Sequence, residues 1–146
     1  AGEEVMRDKK GIHNSYQSPD SINAIDWRRK MEHADVFAYY KGLIQLRKNH
    51  PAFRLGDADL VRRHLEFLPL EGSNVVAYHL KENAGGDAWG DIYVILNSRK
   101  EIAKVPVPEG RYTVVCKDGF ISEQGLGTIY GPEVFVPAQS ALIFYK

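Results

Sequence analysis

The 146-residue chain has one cysteine, no net charge and no long apolar run. Cys116 alone excludes an internal disulfide framework and a zinc site built from several cysteines. The 19 Lys and Arg residues balance 19 Asp and Glu residues, whereas a nucleic-acid-binding module shows a basic excess. The longest apolar runs fall far short of the roughly 18 residues that a membrane helix needs. We therefore expect neither a nucleic-acid partner nor a membrane partner.

The familiar signatures of catalysis and cofactor binding are also missing. There is no G-x-S-x-G nucleophile elbow and no phosphate-binding loop of the G-x-x-x-x-G-K type. No two histidines stand four residues apart, and none is flanked by a cysteine, so no metal site is expected. The histidines are His13, His33, His50, His64 and His79. We expect no cofactor and no catalytic residue from these patterns.

The length allows one ordinary domain but not a complete (β/α)₈ barrel, which needs about 250 residues. The opening, AGEEVMRDKKG, contains no apolar leader segment and no initiator Met. A charged start of this kind is what a truncated chain would show, and the cellular compartment stays open.

The first half of the chain predicts a loop followed by one helix. Residues 13–23 are dense in Asn, Ser, Pro and Asp, which favours a long structured loop. Residues 34–50 carry apolar side chains at helical spacing and end before Pro51. Gly42 would cost this helix about 1 kcal/mol relative to Ala unless a close packing contact requires it.

From about residue 60 the pattern changes to short strands separated by turn signals. Several strands without intervening helices predict a β-sandwich or a small barrel. Cys116 is expected to be buried, on the same strand face as Tyr112 and Val114. The predicted strands are Val75–Leu80, Ile92–Leu96, Lys104–Val107, Tyr112–Lys117, Val134–Val136 and Ala141–Tyr145.

Several motifs resemble the type I pullulanases, which are starch-debranching enzymes of the α-amylase family. The segment AGEEVMRDKKGIHNSYQSPDSINAIDW resembles the stretch that follows their last barrel strand. The helix sequence YYKGLIQLRKNHPAF resembles their final barrel helix. The segments YVILNS, GRYTVVCKDG and VPAQSALIF resemble the β-domain that follows the barrel.

This resemblance implies a mainly β fold, with an antiparallel β-sandwich preceded by the last active-site loop and last helix of a truncated (β/α)₈ barrel. Residues 1–55 would be the barrel remnant and residues 56–146 the β-sandwich domain. The parent enzyme would hydrolyse α-1,6-glucosidic bonds with retention, in pullulan, starch or glycogen branches. Its catalytic carboxylates would lie upstream, so the fragment itself would not be catalytic.

The resemblance also names the loop residues expected to contact sugar. They are Asn14, Tyr16, Asp20 and Asn23. Two departures from the family pattern affect this loop. Ala24 stands where some relatives have Arg, and Asp8 stands where Thr is usual.

Two alternatives remain for the β-domain. It could be a carbohydrate-binding module that uses Tyr78, Trp89 and Tyr93 as an aromatic platform, or a purely structural domain. The missing barrel would be the natural partner of the helix. Without that barrel, Val36, Tyr40 and Leu43 would form an exposed apolar patch, which predicts self-association or docking of the helix on the β-domain.

Overall fold

The computed structural model describes all residues from 1 to 146 and contains two compact units, residues 1–41 and 42–146. The α-helices are α1 (Asp20–Asn23), α2 (Arg29–Glu32), α3 (Ala34–Asn49) and α4 (Ala58–His64). Short 3₁₀ helices lie at Glu3–Val5, Pro51–Arg54 and Ala84–Gly86. No helix has both the length and the apolar character needed to span a membrane.

Polar contacts hold the first unit together. Val5 is its one fully buried large apolar side chain. The Arg29 guanidinium donates to the carbonyl oxygens of Val5 and Met6, at 3.1 and 2.6 Å. These bonds satisfy carbonyls at the end of the first 3₁₀ helix, where no further turn supplies N–H groups to donate to them. The Lys30 ammonium lies 4.2 Å from the centre of the Phe37 ring.

The predicted helix over residues 34–50 is present as α3, and Pro51 opens the next 3₁₀ helix. A close packing contact explains the glycine at position 42 within the helix. A Cβ atom at residue 42 would lie 3.0 Å from Cβ of Ile121, closer than nine in ten real Cβ contacts. The missing side chain therefore allows the second half of α3 to approach β6 closely.

The second unit is mainly antiparallel β-structure, as predicted. One sheet has the order β1-β2-β3-β9-β5-β6, with β7 also paired to β5, and β4 pairs with β8 in a second sheet. The strands are β1 (Leu65–Phe67), β2 (Val75–Leu80), β3 (Ile92–Asn97), β4 (Ala103–Pro106), β5 (Arg111–Lys117), β6 (Phe120–Ile121), β7 (Gly127–Tyr130), β8 (Glu133–Val136) and β9 (Ser140–Tyr145).

The core fills the space between these two sheets. Tyr93, Tyr112 and Phe144 form its aromatic centre, with ring centroids 5.2–5.6 Å apart. Aliphatic side chains of β4 and β8 close it from the other side, among them Val105 and Val136, which are fully buried. The buried aromatic and aliphatic area is the main stabilising contribution to this unit.

One sequence expectation for this unit was wrong, and one helix was not predicted. The helix is α4 (Ala58–His64), which lies where the sequence pattern changes toward strands; the Asp57 side chain starts it by accepting hydrogen bonds from the backbone N–H groups of Asp59 and Leu60. Cys116 is buried, but a β-bulge at β5 pairs Val114 with Phe144 and Cys116 with Ile143. Since Phe144 and Ile143 point to opposite faces, the bulge turns Cys116 away from the face of Val114.

Candidate functional site

The predicted sugar-contacting loop presents three of its four candidate side chains to solvent. Tyr16 is 78% exposed, which is unusual for a tyrosine and leaves its ring face open. Asn14 and Asp20 are also exposed. Asp20 begins α1, and its backbone carbonyl accepts the N–H of Ala24 while its carboxylate stays in solvent. The loop therefore offers an aromatic face, an amide and a carboxylate, the groups that bind sugar rings and hydroxyls.

The fourth candidate, Asn23, faces the inside of the loop. Its Nδ2 donates to the carbonyl oxygens of Ser15 and Ser18, at 2.7 and 2.8 Å. Ser15 is buried, and its hydroxyl accepts a hydrogen bond from the Lys9 ammonium. The structure thus brings Asn23 next to the backbone that carries Tyr16, but with both amide hydrogens already committed.

Beyond the loop, Asp26 and Trp27 are exposed. The Arg28 guanidinium donates to both Asp26 carboxylate oxygens, at 2.8 and 2.7 Å. These bonds, together with the Arg28 backbone N–H, lower the pKa of Asp26 to about 2. Trp27 is 62% exposed, so most of its ring surface is open to solvent.

The aromatic platform considered for the β-domain does not form. Tyr93 lies in the core, and its ring stacks between His79 and Phe144. Burial raises the pKa of the Tyr93 hydroxyl. Trp89 stacks on Tyr145 at 4.0 Å. Tyr78 pairs with Val94 and His79 pairs with Tyr93, so Tyr78 and Tyr93 lie on opposite faces of the sheet and cannot share one platform.

A buried polar cluster that the sequence pattern did not predict joins the end of α3 to the loop before β3. The Asp87 carboxylate accepts from His50 Nδ1 at 2.9 Å, from Ala52 N at 3.1 Å and from Trp89 N at 3.0 Å. The His50 ring also stacks on Trp89 at 3.5 Å. His50 and Asp87 are 37 positions apart in the sequence, which explains why no local spacing revealed this pair.

The second unit also contains an apolar cavity of about 470 Å³ on the sheet face that α3 covers. Leu43 and Leu46 of the helix face Tyr78, Val94 and Ile143 of the sheet across it. The second half of α3 thus docks on the β-domain. The cavity has few polar groups, and burial raises the pKa of the Tyr78 hydroxyl in its wall. No group of three or more metal-ligating side chains occurs in the chain.

Comparisons with known proteins agree with this architecture. Residues 61–119 match the family model described as "Pullulanase, all-beta domain". A curated pullulanase from Bacillus subtilis is 38% identical over 141 residues, which cover 88% of this chain and 20% of that protein. Pullulanases are starch-debranching glycoside hydrolases, and this chain matches only a β-domain part of them.

Solved structures of pullulanases also resemble this chain over its whole length. The pullulanase from Bacillus acidopullulyticus is 42% identical with a TM-score of 0.93, over 100% of this chain and 18% of that one. The Anoxybacillus pullulanase complexed with maltotetraose is 33% identical with a TM-score of 0.85, over 100% of this chain and 20% of that one. The chain therefore spans about a fifth of the length of the relatives that it matches.

Proposed function

We propose that this chain, a homologue of one segment of the type I pullulanases, supplies an α-glucan-contacting loop and a structural β-domain to a longer debranching enzyme. The observation that carries the proposal is the exposure of Asn14, Tyr16 and Asp20 on a loop whose backbone is fixed from inside by Asn23. A preformed loop loses less conformational entropy on binding than a flexible one. The maltotetraose found in the Anoxybacillus relative supports the choice of ligand.

The loop side chains have distinct roles in this proposal. The Tyr16 ring stacks on a glucose ring, since its exposed face provides a flat apolar surface. The Asp20 carboxylate accepts hydrogen bonds from sugar hydroxyls, and the Asn14 amide donates and accepts at the same subsite. Residues 1–55 would belong to the barrel of the parent enzyme and residues 56–146 to its β-sandwich.

The isolated chain is proposed to be non-catalytic. Retaining hydrolysis of a glycosidic bond needs two carboxyl groups about 5–5.5 Å apart, one as nucleophile and one as general acid and base. Asp87, the buried carboxylate of the β-domain, accepts three hydrogen bonds within the protein and has no exposed side-chain surface, so it cannot reach a substrate in that role. The catalytic carboxylates would stand upstream in the parent. We expect no release of reducing sugar when the chain is incubated with pullulan.

An NMR titration of the labelled chain with maltotriose tests the binding proposal. We expect shifts confined to residues 13–27, and a weaker affinity for maltotriose in Tyr16→Ala and Asp20→Asn. Tyr130→Ala is the matched control, because Tyr130 is 65% exposed but lies on β7 of the other unit. Shifts on the β-domain would favour the binding-module alternative. The absence of any shift in a folded sample would refute sugar binding by this loop.

A further inference from the structure

The carboxamide of Asn23 closes the loop that carries the exposed side chains. Its two Nδ2 hydrogens are its only donors, and both are used on the backbone carbonyls of Ser15 and Ser18. These two carbonyls flank Tyr16 in the chain, so their position sets the course of the backbone from which the Tyr16 ring projects. The backbone N–H of Ser18 also donates to Ser15 O at 2.9 Å, which completes a compact turn.

Arg7 holds Asn23 in place from the other side. Its guanidinium donates through Nη2 to the carbonyl oxygen of Asn23 and through Nη1 to that of Ala1, the latter at 3.2 Å. The stem of Arg7 lies in space that Gly2 leaves empty. A Cβ atom at residue 2 would be 2.7 Å from Arg7 Cδ, and the φ angle of +96° there is also one that favours glycine.

We propose that Asn23 and Arg7 are positioning residues that orient Tyr16 for the glucan and do not touch the sugar themselves. The inference rests on the proposed function of the loop, and it separates the four candidate residues into two roles. Asn14, Tyr16 and Asp20 are contact residues because their side chains are exposed. Asn23 acts through Tyr16, since its donors are spent within the protein.

Asn23→Asp is the sharpest test, because it keeps the size and the acceptor oxygen of the side chain and replaces the donating Nδ2 by a second oxygen. We expect it to accelerate hydrogen exchange at the Ser18 amide and to weaken maltotriose binding about tenfold, a typical cost of losing such bonds. Asn14→Asp is the matched control, since it adds the same charge to the same loop at an exposed asparagine. It should leave exchange at Ser18 unchanged.

A second pair of variants tests Arg7 by the same exchange measurement. Arg7→Ala should release the Asn23 carbonyl and accelerate exchange in residues 15–24. Arg7→Lys, whose single ammonium can reach only one of the two carbonyls, should give an intermediate rate. If Asn23→Asp proves too unstable to study, this pair decides the question.

A double-mutant cycle separates positioning from direct contact. If Asn23 acts through Tyr16, Asn23→Asp should cost little further affinity in a Tyr16→Ala background, whereas a direct contact gives additive losses. Unchanged exchange in Asn23→Asp, or additive losses of affinity, would overturn the inference. If the wild-type chain binds no maltotriose, the proposed function fails. The exchange rates then decide alone whether Asn23 and Arg7 order the loop.

Discussion

Replacing Asp87 by alanine should be among the most damaging single changes to the β-domain. The carboxylate is buried and accepts three hydrogen bonds, from His50, Ala52 and Trp89. Asp87→Ala leaves all three donors without an acceptor, and a buried unsatisfied donor costs about 1–3 kcal/mol. Because Trp89 is only partly buried, we expect a total loss of about 3–5 kcal/mol in the free energy of unfolding.

Guanidinium unfolding measures this loss directly. Far-ultraviolet circular dichroism follows the sheet. In a Trp27→Phe background Trp89 is the one remaining tryptophan, and its stacking on His50 makes its fluorescence report the local structure. The variant and its parent should have similar m-values, so that the shift in midpoint reports stability alone.

Asp59→Ala is the control for loss of a carboxylate. Asp59 pairs with Arg62 on the surface, with both side chains at least 74% exposed, and such pairs contribute at most about 1 kcal/mol. Asp87→Asn keeps one acceptor oxygen, so its loss in the free energy of unfolding should lie between those of Asp59→Ala and Asp87→Ala. A loss for Asp87→Ala that does not exceed the loss for Asp59→Ala would refute the idea that this cluster holds α3 to the β-domain.

Two further changes test local features. Gly42→Ala should lower the free energy of unfolding by about 1 kcal/mol, because the added methyl group overpacks against Ile121. The same change at an exposed helix position would raise it by about 1 kcal/mol. Urea unfolding measures the effect beside Lys48→Ala, and a higher free energy of unfolding for Gly42→Ala would contradict the packing argument. The pKa of Asp26 is about 2 because of Arg28, so this ion pair is intact above the usual pKa of Asp and is lost as pH falls through 2. A ¹³C titration of Arg28→Gln should show the Asp26 midpoint rising toward 3.8, and an unmoved midpoint would contradict the assignment.

The elements that the sequence predicted are those whose signals are local. The strand Val75–Leu80 appears with the predicted bounds, and Ile92–Asn97 extends the predicted run by one residue. In both, apolar side chains at strand spacing determine the structure within a few residues. Between β5 and β6, Asp118-Gly119 is a dipeptide typical of tight turns, and both residues have the positive φ angles that such a turn requires.

The features that the sequence did not predict depend on contacts between distant residues. His50 and Asp87 have no common motif, and only the fold brings them within 2.9 Å. The bulge that turns Cys116 toward the face of Ile143 arises from the pairing of β5 with β9, which strand periodicity alone does not contain. The role of Asn23 also depends on contacts that the sequence pattern does not contain. Its place in a polar loop motif suggested a ligand contact, whereas its hydrogen bonds lie within the loop.

The two units should differ sharply in local stability, and hydrogen exchange can measure the difference. Residues 1–33 bury one large apolar side chain completely, Val5, and depend on polar bonds from Arg7 and Arg29. The β-domain has a continuous core around Tyr112 and Phe144. Because buried apolar area is the main stabilising contribution, we expect amides of residues 1–33 to exchange through local opening and those of β3, β5 and β9 only through global unfolding. Equal protection in both would show that the polar bonds of the first unit stabilise it as strongly as a packed core.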